Sequence, residues 1–444
     1  MTAVLTSQAR QAAAPRSVSP RLAGLDGIRG LAALYVVIYH IFLRAFPGHL
    51  AEQAPFWAAG FRYGRFAVAV FIVLSGFSLA VGAARAGWRL TGIRTFARRR
   101  AWRILPSYWA ALVFSLLMTR YVLAQPGWAV PNLKSVAVNG LLIQDIVAAP
   151  TPNRAFWSIA IEAQLYVLFP LLILVVRRRN AVVMLAMVAV PVLLLGLLST
   201  ALTRTATGLV NQYTPDLAVL FAIGVAVAAA VDTRHTPRPW HRYAIAAAAP
   251  VFALIAWQGL DWTSHHLFWV DLAVGPAIGC LLAAITTGRP SPLVSLLDAR
   301  PLRRLGSFSY SLYLTHLPIV VAVYYGLLAG RIRQGAPMFL VLCGVLLPPT
   351  LLFARLFAEV FELPFQRHRG WRRPAGSAGA GHRPDGGERG GQQAVPGRRP
   401  VQCQHRSAGV PTGQRHRVHA GHLGQRQARH QGNPEPRRDQ AVYH

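Results

Sequence analysis

The chain has 444 residues, of which 53% are hydrophobic and only 14% are charged, whereas about 25% of the residues in a typical soluble domain are charged. Its formal net charge of +31 would suit a nucleic-acid-binding protein, but many of the arginines lie in short loops between apolar runs, which excludes that class. The sequence therefore predicts a multi-pass protein of the plasma membrane, with the lipid bilayer as a partner and no nucleic-acid partner.

Ten apolar runs are long enough, or nearly long enough, to cross the ~30 Å hydrocarbon core of a bilayer. They cover residues 28–46, 66–84, 105–124, 157–176, 181–199, 213–231, 242–259, 266–287, 307–328 and 336–360. A chain in hydrocarbon must satisfy its own backbone groups, so each run is expected to be a helix. The predicted fold is an all-α integral membrane bundle of about ten transmembrane helices. A shorter apolar stretch, 135–149, is expected to be re-entrant or interfacial.

The loops between these runs differ in their number of basic residues. The second, fourth, sixth and eighth loops together carry 17, and the alternate loops carry nine. Basic loops stay on the cytoplasmic side, which predicts that both termini are cytoplasmic. The predicted organisation is a cytoplasmic N-terminal segment (1–24), a transmembrane domain (25–370) and a tail (371–444).

The tail differs from the rest of the chain in composition. It is rich in Gly, Arg, Gln, His and Pro, and Leu423 is its only leucine. A segment with so few apolar residues cannot bury a core, so disorder is expected. The histidines of the tail lack carboxylate or thiol neighbours at a fixed spacing, and the three cysteines fit no ligand pattern. No metal site is predicted.

The first run carries ionisable side chains, which are costly inside a membrane and therefore informative. Arg29 and His40 lie eleven positions apart. In a helix, this spacing places the two side chains within about 20° of the same face and roughly 16 Å apart along the helix axis. One long substrate could lie along both. The alternatives are that His40 forms a structural bond to a neighbouring helix and that Asp26 and Arg29 cap and pair at the helix start.

The fourth run begins with a polar stripe of Ser158, Glu162 and Tyr166 at four-residue spacing. By the predicted orientation, Glu162 lies in the outer half of the membrane, at a depth compatible with His40. A carboxylate near a histidine can orient it and raise its basicity. The alternative is a structural hydrogen-bond bridge between helices.

Two further patterns concern the third and ninth runs. Arg100 and Arg103 are three residues apart at an expected helix start, which suits the binding of phosphate groups. The alternative is a topology anchor at lipid headgroups. In the ninth run, Ser309, Tyr313 and His316 share one helical face, and His316 is interpreted either as a substrate-binding or as a packing residue.

Six motifs occur in a fixed order over about residues 21–370. They are Leu25-Asp26-Gly27-Ile28-Arg29-Gly30-Leu31-Ala32-Ala33 through His40; Leu74-Ser75-Gly76-Phe77; Arg100-Ala101-Trp102-Arg103; Trp157-Ser158 with Glu162, Gln164, Tyr166 and Phe169-Pro170; Ser309-Tyr310-Ser311-Leu312-Tyr313-Leu314 with His316 and Pro318; and Glu362 with Pro364-Phe365. Together they resemble the acyltransferase 3 family of membrane-bound O-acyltransferases. The chain departs from the family pattern at Ala69 and Ala163, where relatives often carry acidic residues.

The resemblance implies transfer of an acyl group, commonly acetyl, from acyl-CoA to a hydroxyl group of a sugar, glycan or small secondary metabolite. It implies that Arg100 and Arg103 hold the phosphates of the donor and that Arg29 lies along its pantetheine arm. His40 would be the general base, or a transient acyl carrier, and Glu162 would orient His40 or the acceptor.

The remaining polar and aromatic residues of the motifs are expected to line the substrate path. They are Trp157, Ser158, Tyr166, Tyr313 and His316. The competing interpretation is a multi-span transporter that uses the same buried groups as a substrate or proton path.

Overall fold

The computed structural model describes residues 24–90, 92–122, 131–202, 210, 213–232, 238–287 and 291–367. Within these ranges the chain forms helices and no strands. The α-helices are α1 (Leu25–Ala45), α2 (Phe56–Ala59), α3 (Arg65–Ala84), α4 (Ile93–Tyr121), α5 (Leu133–Gly140), α6 (Trp157–Arg178), α7 (Ala181–Leu202), α8 (Asp216–Asp232), α9 (Trp240–His265), α10 (Leu267–Thr287), α11 (Pro292–Leu297), α12 (Arg300–Ser307), α13 (Ser309–Val323), α14 (Ala336–Phe361) and α15 (Leu363–Arg367). A π-helical turn, Tyr324–Leu328, extends α13. The predicted disordered tail lies outside the described residues.

The predicted bundle of membrane-spanning helices is confirmed. Among the described residues, nine helices are long and apolar enough to cross a bilayer. They are α1, α3, α4, α6, α7, α9, α10, α13 with its π-helical turn, and α14. The remaining predicted run, 213–231, corresponds to α8, which is shorter, at 17 residues. The cytoplasmic position of the termini stays a prediction.

Close packing of α3 against α8 depends on two glycines. A Cβ atom at Gly76 would overlap the carbonyl oxygen of Phe221, and one at Gly224 would overlap the carbonyl oxygen of Val73. Glycine is required at both positions because the two backbones touch there, as expected for small residues at helix interfaces in membranes.

The start of α1 packs in a similar way against α12. A Cβ atom at Gly30 would lie 2.7 Å from the backbone nitrogen of Gly306, and one at Gly306 would overlap the carbonyl oxygen of Asp26. Because α13 follows α12 after a single residue, this contact also sets α13 beside α1. The faces that carry His40 and His316 meet as a result.

The segment between α4 and α6 is held against two transmembrane helices, and its predicted re-entrant or interfacial position stays a prediction. The hydroxyl of Tyr108 in α4 donates to the carbonyl oxygen of Asn139 at 2.8 Å. The amide of Asn153 donates to the carbonyl oxygen of Leu314 in α13 at 2.9 Å. That carbonyl is available because Pro318, four residues later, has no N–H to donate to it.

A buried cluster of charged residues joins α3, α8 and α10, and no sequence motif pointed to it. The Arg65 guanidinium donates from Nε to Oδ2 of Asp271 at 2.7 Å and lies 3.8 Å from Oδ2 of Asp216. Both carboxylate side chains are about 1% exposed. The guanidinium carbon also lies 5.3 Å from the ring centroid of Trp157 at the start of α6, so the cluster ties four helices together.

Candidate active site

A cavity of about 130 Å³ lies within the bundle and gathers most of the predicted site residues. Its lining comprises Arg29, Val68, Phe71, Ile72, Ser75, Ser78, Leu79, Arg100, Arg103, Ile104, Ser158, Ile159, Glu162, Tyr166, Ser309, Tyr310, Tyr313 and Glu362. Three predicted site residues, His40, His316 and Trp157, lie outside this lining. Trp157 stands instead over the guanidinium of Arg65.

Three arginines form the basic part of the cavity lining. Arg29 donates to Oδ1 of Asp26 at 3.2 Å and to Oγ of Ser78 at 2.7 Å. The sequence-level pairing of Asp26 with Arg29 is therefore present, and it leaves the guanidinium in the cavity wall. The guanidinium carbon of Arg100 lies 5.6 Å from the ring centroid of Tyr166.

The expectation that Arg100 and Arg103 lie at a helix start is wrong. The helix α4 begins at Ile93, twelve residues before the apolar run that was expected to mark it, because the arginine-rich segment is itself helical. Arg100 thus lies roughly 10 Å along the helix axis from the N-terminus of α4. The backbone N–H groups of the first turn cannot contribute to an anion site at these arginines.

Glu162 belongs to a hydrogen-bonded group that bridges α3 and α6. Its Oε1 accepts from the hydroxyl of Ser75 at 2.7 Å and from the hydroxyl of Tyr166 at 2.5 Å. Among the described residues, the hydrogen bonds to Glu162 reach Oε1 only, and His40 is not a partner. The bridge between helices that the sequence allowed is present, and Glu162 faces the cavity instead of orienting His40.

A second acidic residue, Glu362, closes the cavity from the end of α14. Its Oε2 accepts from the backbone N–H of Ser311 at 3.2 Å and from the Ser311 hydroxyl at 2.6 Å. Burial raises the pKa of the Glu362 carboxyl, and the two hydrogen bonds from Ser311 oppose that shift. The motif that contains Glu362 was recognised in the sequence, but the sequence did not predict that Glu362 lines the cavity.

Tyr313 connects the cavity with a pair of histidines beyond it. Its hydroxyl shares a 2.6 Å hydrogen bond with the hydroxyl of Ser158 in the cavity lining. Its ring centroid lies 5.9 Å from that of Phe71 and 5.9 Å from that of His316. The ring of Tyr313 therefore lies between Phe71 in the cavity lining and His316.

The histidine pair joins α1 to α13. His316 Nε2 lies 3.1 Å from His40 Nδ1, and the two ring centroids are 4.9 Å apart. His316 is completely buried, whereas His40 is partly exposed. Helical periodicity places each histidine on a face of its own helix but cannot show that the two faces meet, so the sequence did not predict this pair.

The described residues hold no group of three or more His, Cys, Asp or Glu side chains able to bind a metal ion. The cavity lining carries arginines, carboxylates and hydroxyls, and the two imidazoles lie beside it. Such groups bind anions, accept protons from hydroxyls and stabilise developing charge.

Comparison with known proteins identifies the class of this chain. Residues 22–355 match the family model of the acyltransferase 3 family, which describes an acyltransferase domain. The acyltransferase MdmB of Streptomyces mycarofaciens is 27% identical, over 82% of this chain and 96% of its own length. The O-acetyltransferase OatA of Staphylococcus aureus is 25% identical, over 79% of this chain but only 58% of its own length.

No solved structure shows significant similarity to the chain. The family match covers most of the transmembrane helices and extends through five of the six motifs, which confirms the resemblance. It also favours an enzyme over a transporter. The chain belongs to the acyltransferase 3 family and is a multi-span membrane acyltransferase.

Proposed function

We propose that the enzyme transfers an acyl group, foremost acetyl, from acyl-CoA to a hydroxyl group of a sugar, glycan or small secondary metabolite. The observation that carries the proposal is the arrangement along α1, where an arginine-lined cavity at Arg29 is followed by a histidine pair at His40. The names of MdmB and OatA, an acyltransferase and an O-acetyltransferase, support acyl transfer to oxygen.

The donor would bind at the arginine-lined part of the cavity. Guanidinium groups bind phosphate oxygens through paired N–H donors, and Arg100 and Arg103 supply two of them at the predicted cytoplasmic end of α4. Arg29 would contact the pantetheine arm. The carboxylate of Glu162 has its Oε2 left to accept a hydrogen bond from an amide N–H of that arm, since the bonds from Ser75 and Tyr166 reach Oε1.

The transfer itself would take place at His40. Its Nε2 accepts the proton of the acceptor hydroxyl while the hydroxyl oxygen attacks the thioester carbonyl carbon. The carbon–sulfur bond then breaks, the acyl group stays on the acceptor oxygen, and the departing sulfur takes the proton from His40. The thioester end of the donor has to pass Tyr313, which lies between the cavity lining and His316, to reach this point.

The predicted orientation gives this reaction a direction. With the termini in the cytoplasm, the arginines face the compartment that supplies acyl-CoA, and His40 lies past the middle of α1 toward the other side. We therefore assign the enzyme to the plasma membrane, with the acceptor approaching from outside. Mass spectrometry of envelope glycans and small metabolites, with and without the gene, identifies the acceptor class.

The donor site is tested with purified enzyme in lipid nanodiscs and radiolabelled acetyl-CoA. Replacing Arg100 and Arg103 together by alanine is expected to weaken donor binding by roughly 10-fold or more, because each charge-assisted hydrogen bond contributes about 1.5–3 kcal/mol. The matched control is the Arg98→Ala, Arg99→Ala double variant, which removes the same charge from exposed positions of the same helix.

The outcome separates two interpretations of these arginines. The control variant should bind acetyl-CoA as the wild type does. Donor binding that is equally unaffected in both double variants would show that Arg100 and Arg103 serve as a topology anchor, and the donor site proposed here would be wrong.

A further inference from the structure

His316 has a hydrogen-bonding arrangement that determines where its proton lies. Its Nδ1 is 3.1 Å from the carbonyl oxygen of Leu312 and 2.8 Å from that of Tyr313. A carbonyl oxygen can only accept, so Nδ1 carries the proton and donates to both. In a neutral imidazole, the other nitrogen is then bare, and Nε2 of His316 is an acceptor.

The same reasoning applies to His40. Its Nδ1 lies 2.9 Å from the carbonyl oxygen of Val36 and 3.1 Å from Nε2 of His316. Both of these atoms accept, so Nδ1 of His40 carries the proton and donates to them. Nε2 of His40 is therefore the bare nitrogen, which is the one a general base needs.

The two rings form a directed chain of hydrogen bonds. It runs from Nδ1–H of His40 to Nε2 of His316, and from Nδ1–H of His316 to two backbone carbonyls of α13. We propose that His316 is a positioning residue that holds the His40 ring with Nε2 bare and stabilises the imidazolium formed when His40 takes the proton of the acceptor. This inference rests on the proposed role of His40 as the base.

The position of His316 corresponds to that of the group that orients the base in hydrolytic triads. A carboxylate usually fills that position, but the only acidic side chain of the fourth run, Glu162, is bound to Ser75 and Tyr166. A neutral imidazole, itself oriented by carbonyl oxygens, can accept the same hydrogen bond without placing a second charge in the membrane. When His40 becomes charged, the bond to His316 strengthens.

The proposal predicts an order of activity among variants of His316. His316→Leu removes the acceptor and is expected to lower kcat by roughly 10- to 100-fold, the effect of losing one hydrogen bond to a charged group. His316→Gln can present its side-chain carbonyl oxygen to Nδ1–H of His40, and it should recover most of that loss. Donor affinity should be unchanged in both variants.

The control for a purely structural effect is Thr315→Val. Thr315 is also completely buried in α13, and among the described residues its hydroxyl donates only to the carbonyl oxygen of Ser311 within the same helix. This variant should transfer acyl groups at close to the wild-type rate. If it is as slow as His316→Leu at matched folding, the effect belongs to the packing of α13 and the proposal is overturned.

A double-mutant cycle with His40→Gln separates the failure of this inference from the failure of the proposed function. If His316 acts through His40, His316→Leu should cause no further loss in the His40→Gln background. An equal loss in both backgrounds would mean that His316 acts independently, and the inference would be wrong while His40 could still be the base. Full acyl transfer by His40→Gln would instead remove the role of His40 as the base, and wild-type enzyme that transfers no acetyl group from acetyl-CoA would refute the proposed function itself.

Nuclear magnetic resonance of protein with ¹⁵N-labelled histidine, in lipid bilayers, provides the direct readout. Assignment by comparison with His40→Gln and His316→Gln should show a proton on Nδ1 and a bare Nε2 for both rings in the resting enzyme. A His316 ring with its proton on Nε2 would contradict the chain of hydrogen bonds and overturn the proposal.

Discussion

The substitution His40→Gln separates catalysis from binding and from folding in one variant. Glutamine has no nitrogen that can take up a proton at neutral pH, so it cannot act as a general base. Its amide can still form a hydrogen bond to the carbonyl oxygen of Val36 or to His316, the two partners of the histidine. The change therefore removes the proposed chemistry while retaining a polar contact between α1 and α13.

Three magnitudes follow from the structure. The free energy of unfolding should fall by no more than about one hydrogen bond, or ~0.5–1.5 kcal/mol. The affinity for acetyl-CoA should stay within about twofold, because His40 lies roughly 16 Å along α1 from Arg29. Acyl transfer should fall by about 10²–10⁴-fold, the contribution that a general base makes, which corresponds to about 3–5 kcal/mol in the barrier.

The assay compares acyl transfer, acetyl-CoA affinity and thermal unfolding for wild type and variant at matched expression in nanodiscs. Near-normal transfer would refute the role of His40 as the base. A joint loss of donor binding and transfer would refute the separation of the donor cavity from the histidine pair. A large loss of stability would mean that the contact between α1 and α13 depends on the imidazole itself.

The remaining predictions concern stability and topology. Replacing Arg65 by methionine should lower the free energy of unfolding by about 3–5 kcal/mol, because it leaves the buried carboxylates of Asp216 and Asp271 without their cation. Thermal unfolding measures the cost, with Arg85→Met, an exposed arginine at the other end of α3, as the control. A loss below about 1 kcal/mol would contradict the buried cluster. Reporter fusions after Arg179 and after His265 should lie on opposite sides of the membrane, with the first in the cytoplasm, and two reporters on the same side would disprove the predicted orientation.

The long apolar helices could be predicted from the sequence because hydrophobic length is a local property. A run of apolar residues forms a helix in hydrocarbon whatever lies beside it, since its backbone groups have no other partners. The reliance on local apolar composition also explains why the start of α4 was predicted at residue 105 instead of Ile93. The segment from Ile93 to Ile104 is helical, but its many arginines hide it from a criterion based on apolar composition.

Most of the side chains predicted from the sequence as site residues do lie in the cavity lining. Arg29, His40 and Glu162 are conspicuous because an ionisable group inside an apolar run is costly. The cluster around Arg65 was not conspicuous in the sequence. Arg65 and Asp216 each lie near the end of an apolar run, where charged residues at the membrane interface are ordinary. Only the fold shows that they are buried together with Asp271.

The partners of these groups were decided by tertiary structure alone. His40 and His316 are 276 positions apart, and Ser75 and Glu162 are 87 apart. Periodicity gives the face of each helix on which a side chain lies, but the meeting of two faces depends on how closely the backbones approach. Here the contact between Gly30 and Gly306 brings α1 against α12 and hence beside α13, so His40 meets a histidine, whereas the sequence alone had suggested a carboxylate.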